Sequence, residues 1–216
     1  LLSVPEGARG LQQSEAVFQH VRRVPELMER MRASLPEGMA PVAICASVRP
    51  RPADESYMPV FQVGAGYARM AAALYRIPYY ETSHQQGHVR AAQVGTGLPL
   101  EQPLLVFHLS GGTTELLHVE GGSVRVVCET GDLHAGQLVD RIGVALGLPF
   151  PAGPMLEELA VRGEAQARIP VSVRGNTCHL SGAERQLMDL AEKGTLSKQD
   201  LAAEVYSFLT RTIQRM

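Results

Sequence analysis

The stretch PLLVFHLSGGTTELLHVEGGSVRVVCET constrains the fold of this chain more than any other, because two glycine pairs divide it into three short apolar runs. Leu104 to Leu109, Glu115 to Glu120 and Ser123 to Glu129 each have strand length and β-forming composition, and the GG at 121–122 turns the second into the third as a hairpin. SGG at 110–112 interrupts the first pair. Helical periodicity lies on either side of this meander, so the order is mixed helix and strand, with no fixed-period repeat.

Before the meander, SEAVFQHVRRVPELMERMRASL places Val17, Val21, Val24, Met28, Met31 and Leu35 at three-to-four spacing behind Ser14 as N-cap, which predicts an amphipathic helix kinked or split at Pro25. PVAICASV reads as a buried strand and IPYYE as a second one. Between them, residues 60–76 read as a helix with Gly64, Ala65, Gly66 and Ala68 on a side open to close approach. A further helix runs from about Ser83, its cap, to Val94 and stops at the glycines of GTG. After the meander, GDLHAGQLVDRIGVALGL predicts a helix with Leu133, Val139, Ile142 and Leu146 inward, and helices follow at about 155–162, 183–192 and 199–215, the last capped by Ser197.

With 216 residues and 45% apolar content, the chain can bury one large core or two small ones. A net charge of −2 and a pI near 6.4 give no bulk electrostatic case for nucleic acid or an anionic membrane. Cys45, Cys128 and Cys178 are odd in number, widely spaced and without a CxxC pair, which argues against a disulfide framework and for a reducing cytoplasm. No apolar run approaches a membrane span, and LLSVPEGARG lacks the regions of a signal peptide.

The candidate site residues begin with His84 and His88 in ETSHQQGHVRAA, four positions apart and so on one helix face. A metal pair and two ordinary histidines both fit that spacing. A zincin is disfavoured, since Gln85 follows the first histidine and no carboxylate lies between the two to act as base. Ser110, Gly111 and Gly112 offer exposed backbone N–H groups that could cradle a phosphate, or form a plain tight turn. Asp140, with Gly153 of PAGP and Glu157, could hold ribose hydroxyls, although single helix carboxylates more often face solvent or pair with an arginine such as Arg141 or Arg162.

Taken in order, SHQQGH, FHLSGGTTEL, GDLHAGQLVDRIGVALGLPFPAGPMLEEL and CHLSGAERQ resemble the TsaD family, bacterial tRNA threonylcarbamoyltransferases formerly called O-sialoglycoprotein endopeptidases. The opening GLQQSEAVFQHVRRVPELMERM and SVRPRPADESYMPVFQVG look like a Gram-positive branch of paralogues within it. The resemblance implies an actin-like ATPase (ASKHA) fold: residues 1–103 as the remainder of a first lobe, and 104–216 as the start of a second with the SGG loop, hairpin and helical insertion. It implies one divalent metal, iron or zinc, on His84 and His88. It also implies an adenine nucleotide, either threonylcarbamoyl-adenylate or ATP/ADP, with phosphates at Ser110, Gly111 and Gly112 and the adenosine end at Asp140, Gly153 and Glu157.

The implied reaction moves a threonylcarbamoyl group from threonylcarbamoyl-adenylate to a tRNA adenosine, with tRNA and a TsaB-like or TsaD-like actin-fold protein, as homodimer or heterodimer, as partners. Departures from the family pattern are Thr113 for histidine, Gln86 for a frequent carboxylate and Gln137 for glutamate. The family's opening GIDTS-type turn and its later GGV loop, asparagine and metal-binding aspartate are not among these residues, so the third metal ligand is expected beyond Met216. The alternative is a non-catalytic scaffold that dimerises with a true transferase; a metallopeptidase ranks last.

Overall fold

A computed structural model describes residues 12–99 and 101–216; the opening LLSVPEGARG lies outside the described residues. The chain divides between Gln102 and Pro103 into two compact units.

The first unit contains α1 (Gln13–Ser34), β1 (Ile44–Arg49), α2 (Pro59–Tyr75), β2 (Tyr79–Ser83) and α3 (His84–Gln93). β1 and β2 pair in parallel, from Ile44 opposite Tyr79 to Arg49 opposite Ser83, with α2 as the crossover. α1 is one continuous helix: Pro25 lies inside it without dividing it, and Gln12, not Ser14, is the N-cap. Its apolar stripe is only partly covered, since Ala16 is buried while Val21, Met28, Met31 and Leu35 are exposed. The expected close approach at Gly64 and Gly66 is absent too, because a Cβ at either would meet nothing within 4 Å. Ala65, Ala71 and Ala72 are the buried residues of α2. β1 is less buried than its apolar run suggested, with Val48 its one buried residue.

The second unit contains β3 (Leu104–Leu109), β4 (Thr114–Glu120), β5 (Ser123–Thr130), α4 (Ala135–Ala145), α5 (Gly153–Ala160), β6 (Ser172–Arg174), β7 (Thr177–His179), α6 (Ser181–Lys193) and α7 (Lys198–Ile213). Its sheet has the order β3-β4-β5-β7-β6, antiparallel except where β5 meets β7. The expected meander is there. β6 and β7 are not foreseen from the sequence, because three-residue strands are too short for a period-two pattern to register. α4 to α7 close over one core containing Leu138, Ile142, Leu156, Leu187, Leu201, Val205 and Phe208. Cys128 and Cys178 are buried, Cys45 is exposed, and all three are free thiols.

Candidate functional site

In the first unit the histidines are set by a helix start with few degrees of freedom. Ser83 Oγ accepts from Gln86 N (3.1 Å) and Gln86 Oε1 accepts from Ser83 N (2.9 Å), a complete capping box. Gln85 N donates to Pro50 O at 3.0 Å and ties this turn to the end of β1. From successive turns, His84 and His88 bring their Nε2 atoms to 2.9 Å, with ring centroids 4.3 Å apart and planes at 73°. Phe61 stands edge-on to His84, centroids 5.8 Å apart.

Two exposed imidazole nitrogens at this separation fit the donor chemistry of a divalent metal: with metal–nitrogen distances of about 2.0–2.1 Å, such a pair subtends roughly a right angle. Among the described residues, no group of three His, Cys, Asp or Glu side chains is placed to hold an ion.

In the second unit the chemistry is organised around α4. Ser110 N donates to Thr113 O (2.8 Å) and Gly112 N to Ser110 Oγ (3.2 Å), so SGG forms a tight loop between β3 and β4. The first turn of α4 presses against it, with Gly136 N donating to Ser110 O at 3.1 Å and Ala135 N to Thr114 Oγ1 at 2.7 Å. A Cβ on Gly136 would fall 2.6 Å from Gly111 N, so only glycine fits. At Gly111 and Gly112 the opposite holds: neither has a positive φ, and an added Cβ would meet nothing within 4 Å. The fold does not require glycine there, which leaves room for a ligand to approach the backbone. At the foot of the loop, His108 and Glu115 face each other across β3 and β4, with Nδ1 3.8 Å from Oε2.

One turn along α4 from Gly136 comes Asp140, on the same face and about 6 Å further along the axis. Its Oδ1 accepts from Ala152 N at 2.8 Å, and Gly143 lets Ala152 lie directly against the helix. Gly153 opens α5, its carbonyl accepts from Tyr206 Oη at 3.2 Å, and Glu157 stands one turn later, exposed. Arg141, the cation beside Asp140, is bonded to Glu184 at 2.8 Å and not to Asp140. Burial raises the Tyr206 phenol above its usual value, and the charges of Glu157 and Asp140 add to that. Ala152 and Gly153 are thus tied to Asp140 and Tyr206, with Glu157 one turn further along α5.

Gln137 occupies the same position in α4 that Gln86 does in α3, the third helical residue, where its Oε1 accepts from His134 N at 3.4 Å. Glutamine and glutamate both serve in that role, so neither departure from the family pattern disturbs a helix start.

Asp132 is a residue the sequence reading missed. It accepts from Leu133 N (2.6 Å), Leu180 N (2.8 Å), Ser181 N (3.3 Å) and the Ser181 hydroxyl, joining the start of α4 to the start of α6. Burial opposes its charge, but the Ser181 hydroxyl and then the backbone donors prevail and hold its pKa at about 2. A carboxyl depressed in this way stabilises the fold above its unfolded value near 3.8, and that contribution is lost as pH falls through 2. Between pH 4 and pH 2 the melting temperature should therefore fall less steeply for Asp132→Asn than for the parent chain, as scanning calorimetry would record.

The two units make a mixed α/β protein, and the family that its sequence matches has the actin-like ATPase fold. Residues 57–215 match the family model for TsaD, tRNA N6-adenosine threonylcarbamoyltransferase, and the chain belongs to that family. It is 31% identical over 197 residues to the tRNA N6-adenosine threonylcarbamoyltransferase of Methanopyrus kandleri, covering 88% of this chain and 54% of that protein. The enzyme of the same name from Thermococcus kodakarensis is 30% identical over 199 residues, covering 92% and 58%. That from Lactiplantibacillus plantarum is 32% identical over 150 residues, covering 65% and 42%. The chain thus spans a little over half the length of the first two relatives. Among the described residues, no helix is long and apolar enough to cross a membrane.

Proposed function

We propose that this chain takes part in transferring a threonylcarbamoyl group from threonylcarbamoyl-adenylate to the exocyclic amine of a tRNA adenosine, with one divalent ion, iron or zinc, on His84 and His88. The observation that carries the reading is α4, which sets the Ser110–Gly111–Gly112 loop and Asp140 one turn apart on one face. The exposed backbone of the loop at Gly111 and Gly112 receives the adenylate phosphate. Asp140 and Glu157 accept from the ribose hydroxyls, and Gly153 lets the nucleoside lie close. A bound ion supplies Lewis-acid polarisation of an oxygen. The chain's own part is to hold the adenylate in place and to stabilise charge on the departing phosphate, since no side chain of the site is set as a general base.

The test is to incubate the metal-loaded chain with threonylcarbamoyl-adenylate and tRNA and to measure threonylcarbamoyladenosine by mass spectrometry of the digested tRNA. Modified nucleoside is expected from the parent chain. His84→Ala/His88→Ala should lose the bound metal and most of the product. A parent chain that holds metal and adenylate yet forms no modified nucleoside would rule the transfer reaction out.

A second reading, a scaffold for another actin-fold protein, is favoured by one observation. Leu27 and Met31 on α1, and Met70 and Leu74 on α2, are each an i, i+4 pair at least half exposed, apolar side chains of the kind that receive another helix. In that case the chain co-sediments with a housekeeping transferase of the family and adds no product of its own.

A further inference from the structure

Tyr206 belongs to no motif, and its contact with the site spans 53 residues of sequence. It stands on α7, whose other inward residues Val205 and Phe208 are plain core, yet its hydroxyl leaves that core to donate to Gly153 O, the first residue of α5. From the other side, Asp140 on α4 accepts from Ala152 N, the residue just before Gly153. Two neighbouring residues are therefore tied to two different helices. That double tie fixes where α5 begins, and with it where Glu157, one turn along, lies relative to Asp140.

The two carboxylates need such control. They are acceptor-only groups, and Arg141, the nearest cation in sequence, is committed to Glu184. Asp140 is bonded to the residue before Gly153 and Glu157 stands one turn after it, so both acids flank the same helix start. Two acceptor-only groups flanking one helix start suit a ligand that brings hydrogen-bond donors and no negative charge at that end. A vicinal diol does so, one hydroxyl to each acid.

We infer that Tyr206 is a positioning residue that sets the separation of Asp140 and Glu157 through the Gly153 carbonyl, and so determines selectivity for a ribose diol over a deoxyribose. The inference rests on the nucleotide reading given above. It also makes a distinction that a packing role for Tyr206 does not. The phosphate loop is bonded to α4 and within the β3–β4 turn, whereas the Tyr206 hydroxyl donates to Gly153 O, so loss of the hydroxyl should spare phosphate binding and damage only sugar reading.

The experiment is calorimetric titration of ADP and 2′-deoxy-ADP into the full chain and into Tyr206→Phe, with a melting curve for each protein. The parent chain should prefer ADP. In Tyr206→Phe, binding of ADP should weaken by about 10–150-fold, the range for a lost hydrogen bond to a charged group, while 2′-deoxy-ADP changes by less than about twofold. The preference then collapses. Equal weakening of both nucleotides, or an unchanged preference, would show that Tyr206 only packs and would overturn the inference while leaving the nucleotide site standing. Binding of neither nucleotide to the parent chain would remove the site itself and the inference with it.

Discussion

Gly136→Ala should destabilise the second unit by roughly 1–3 kcal/mol, the range for forcing extra volume into a packed contact. Elsewhere in a helix this substitution helps, since alanine is the better helix former by about 1 kcal/mol. Here the new methyl would lie 2.6 Å from Gly111 N and from Ser110 C, and 2.7 Å from Ser110 O. These are backbone atoms, which cannot rotate aside as a side-chain end can. Either α4 retreats from the loop or the loop shifts, and both break the Gly136 N to Ser110 O bond. Gly111→Ala is the matched control: its methyl meets nothing within 4 Å, so stability should change by no more than about 0.5 kcal/mol. Urea unfolding of the two variants measures both, and equal midpoints would contradict the close packing of α4 on the loop.

Glu204→Ala should cost more, about 3–5 kcal/mol, the range for removing one partner of a buried charged pair. Glu204 is fully buried on α7 and accepts from Ala167 N (3.0 Å), Ile169 N (2.9 Å) and Arg211 Nη2 (3.4 Å). Truncation leaves two backbone donors without their acceptor inside the unit and strips Arg211 of its counter-charge. Glu204→Gln should fall between parent and alanine variant, because one amide oxygen still accepts while the NH₂ faces another donor. The urea midpoints of the three proteins set this order. A Glu204→Ala midpoint equal to the parent's would mean the segment around Ile169 is held by packing alone.

The difference between what could and could not be read in advance has a physical cause. The meander was legible because its strands are long enough to show their pattern and are separated by glycines. Ser83 and Ser197 were legible as caps because a cap and its partner lie within one turn. Asp132, Tyr206 and Glu204 were not, because their partners lie 35 to 53 residues away, where no local spacing rule applies. Val21, Met28 and Met31 show the reverse case: helical periodicity marked them as an inward stripe, but it cannot say whether anything covers that stripe. Gly136, sitting in a helix, carried no signal of its own until the loop it touches was in place.

The measurement that bears most directly on the whole account is calorimetric titration of ADP into the parent chain and into Gly111→Ala. The fold does not require glycine at position 111, so an effect of a methyl there reports on a ligand. The account predicts one ADP bound per chain, weakened about tenfold or more by Gly111→Ala at an unchanged melting temperature, because a methyl intrudes where backbone N–H groups meet phosphate. No binding by the parent chain, or equal binding by both, would contradict it.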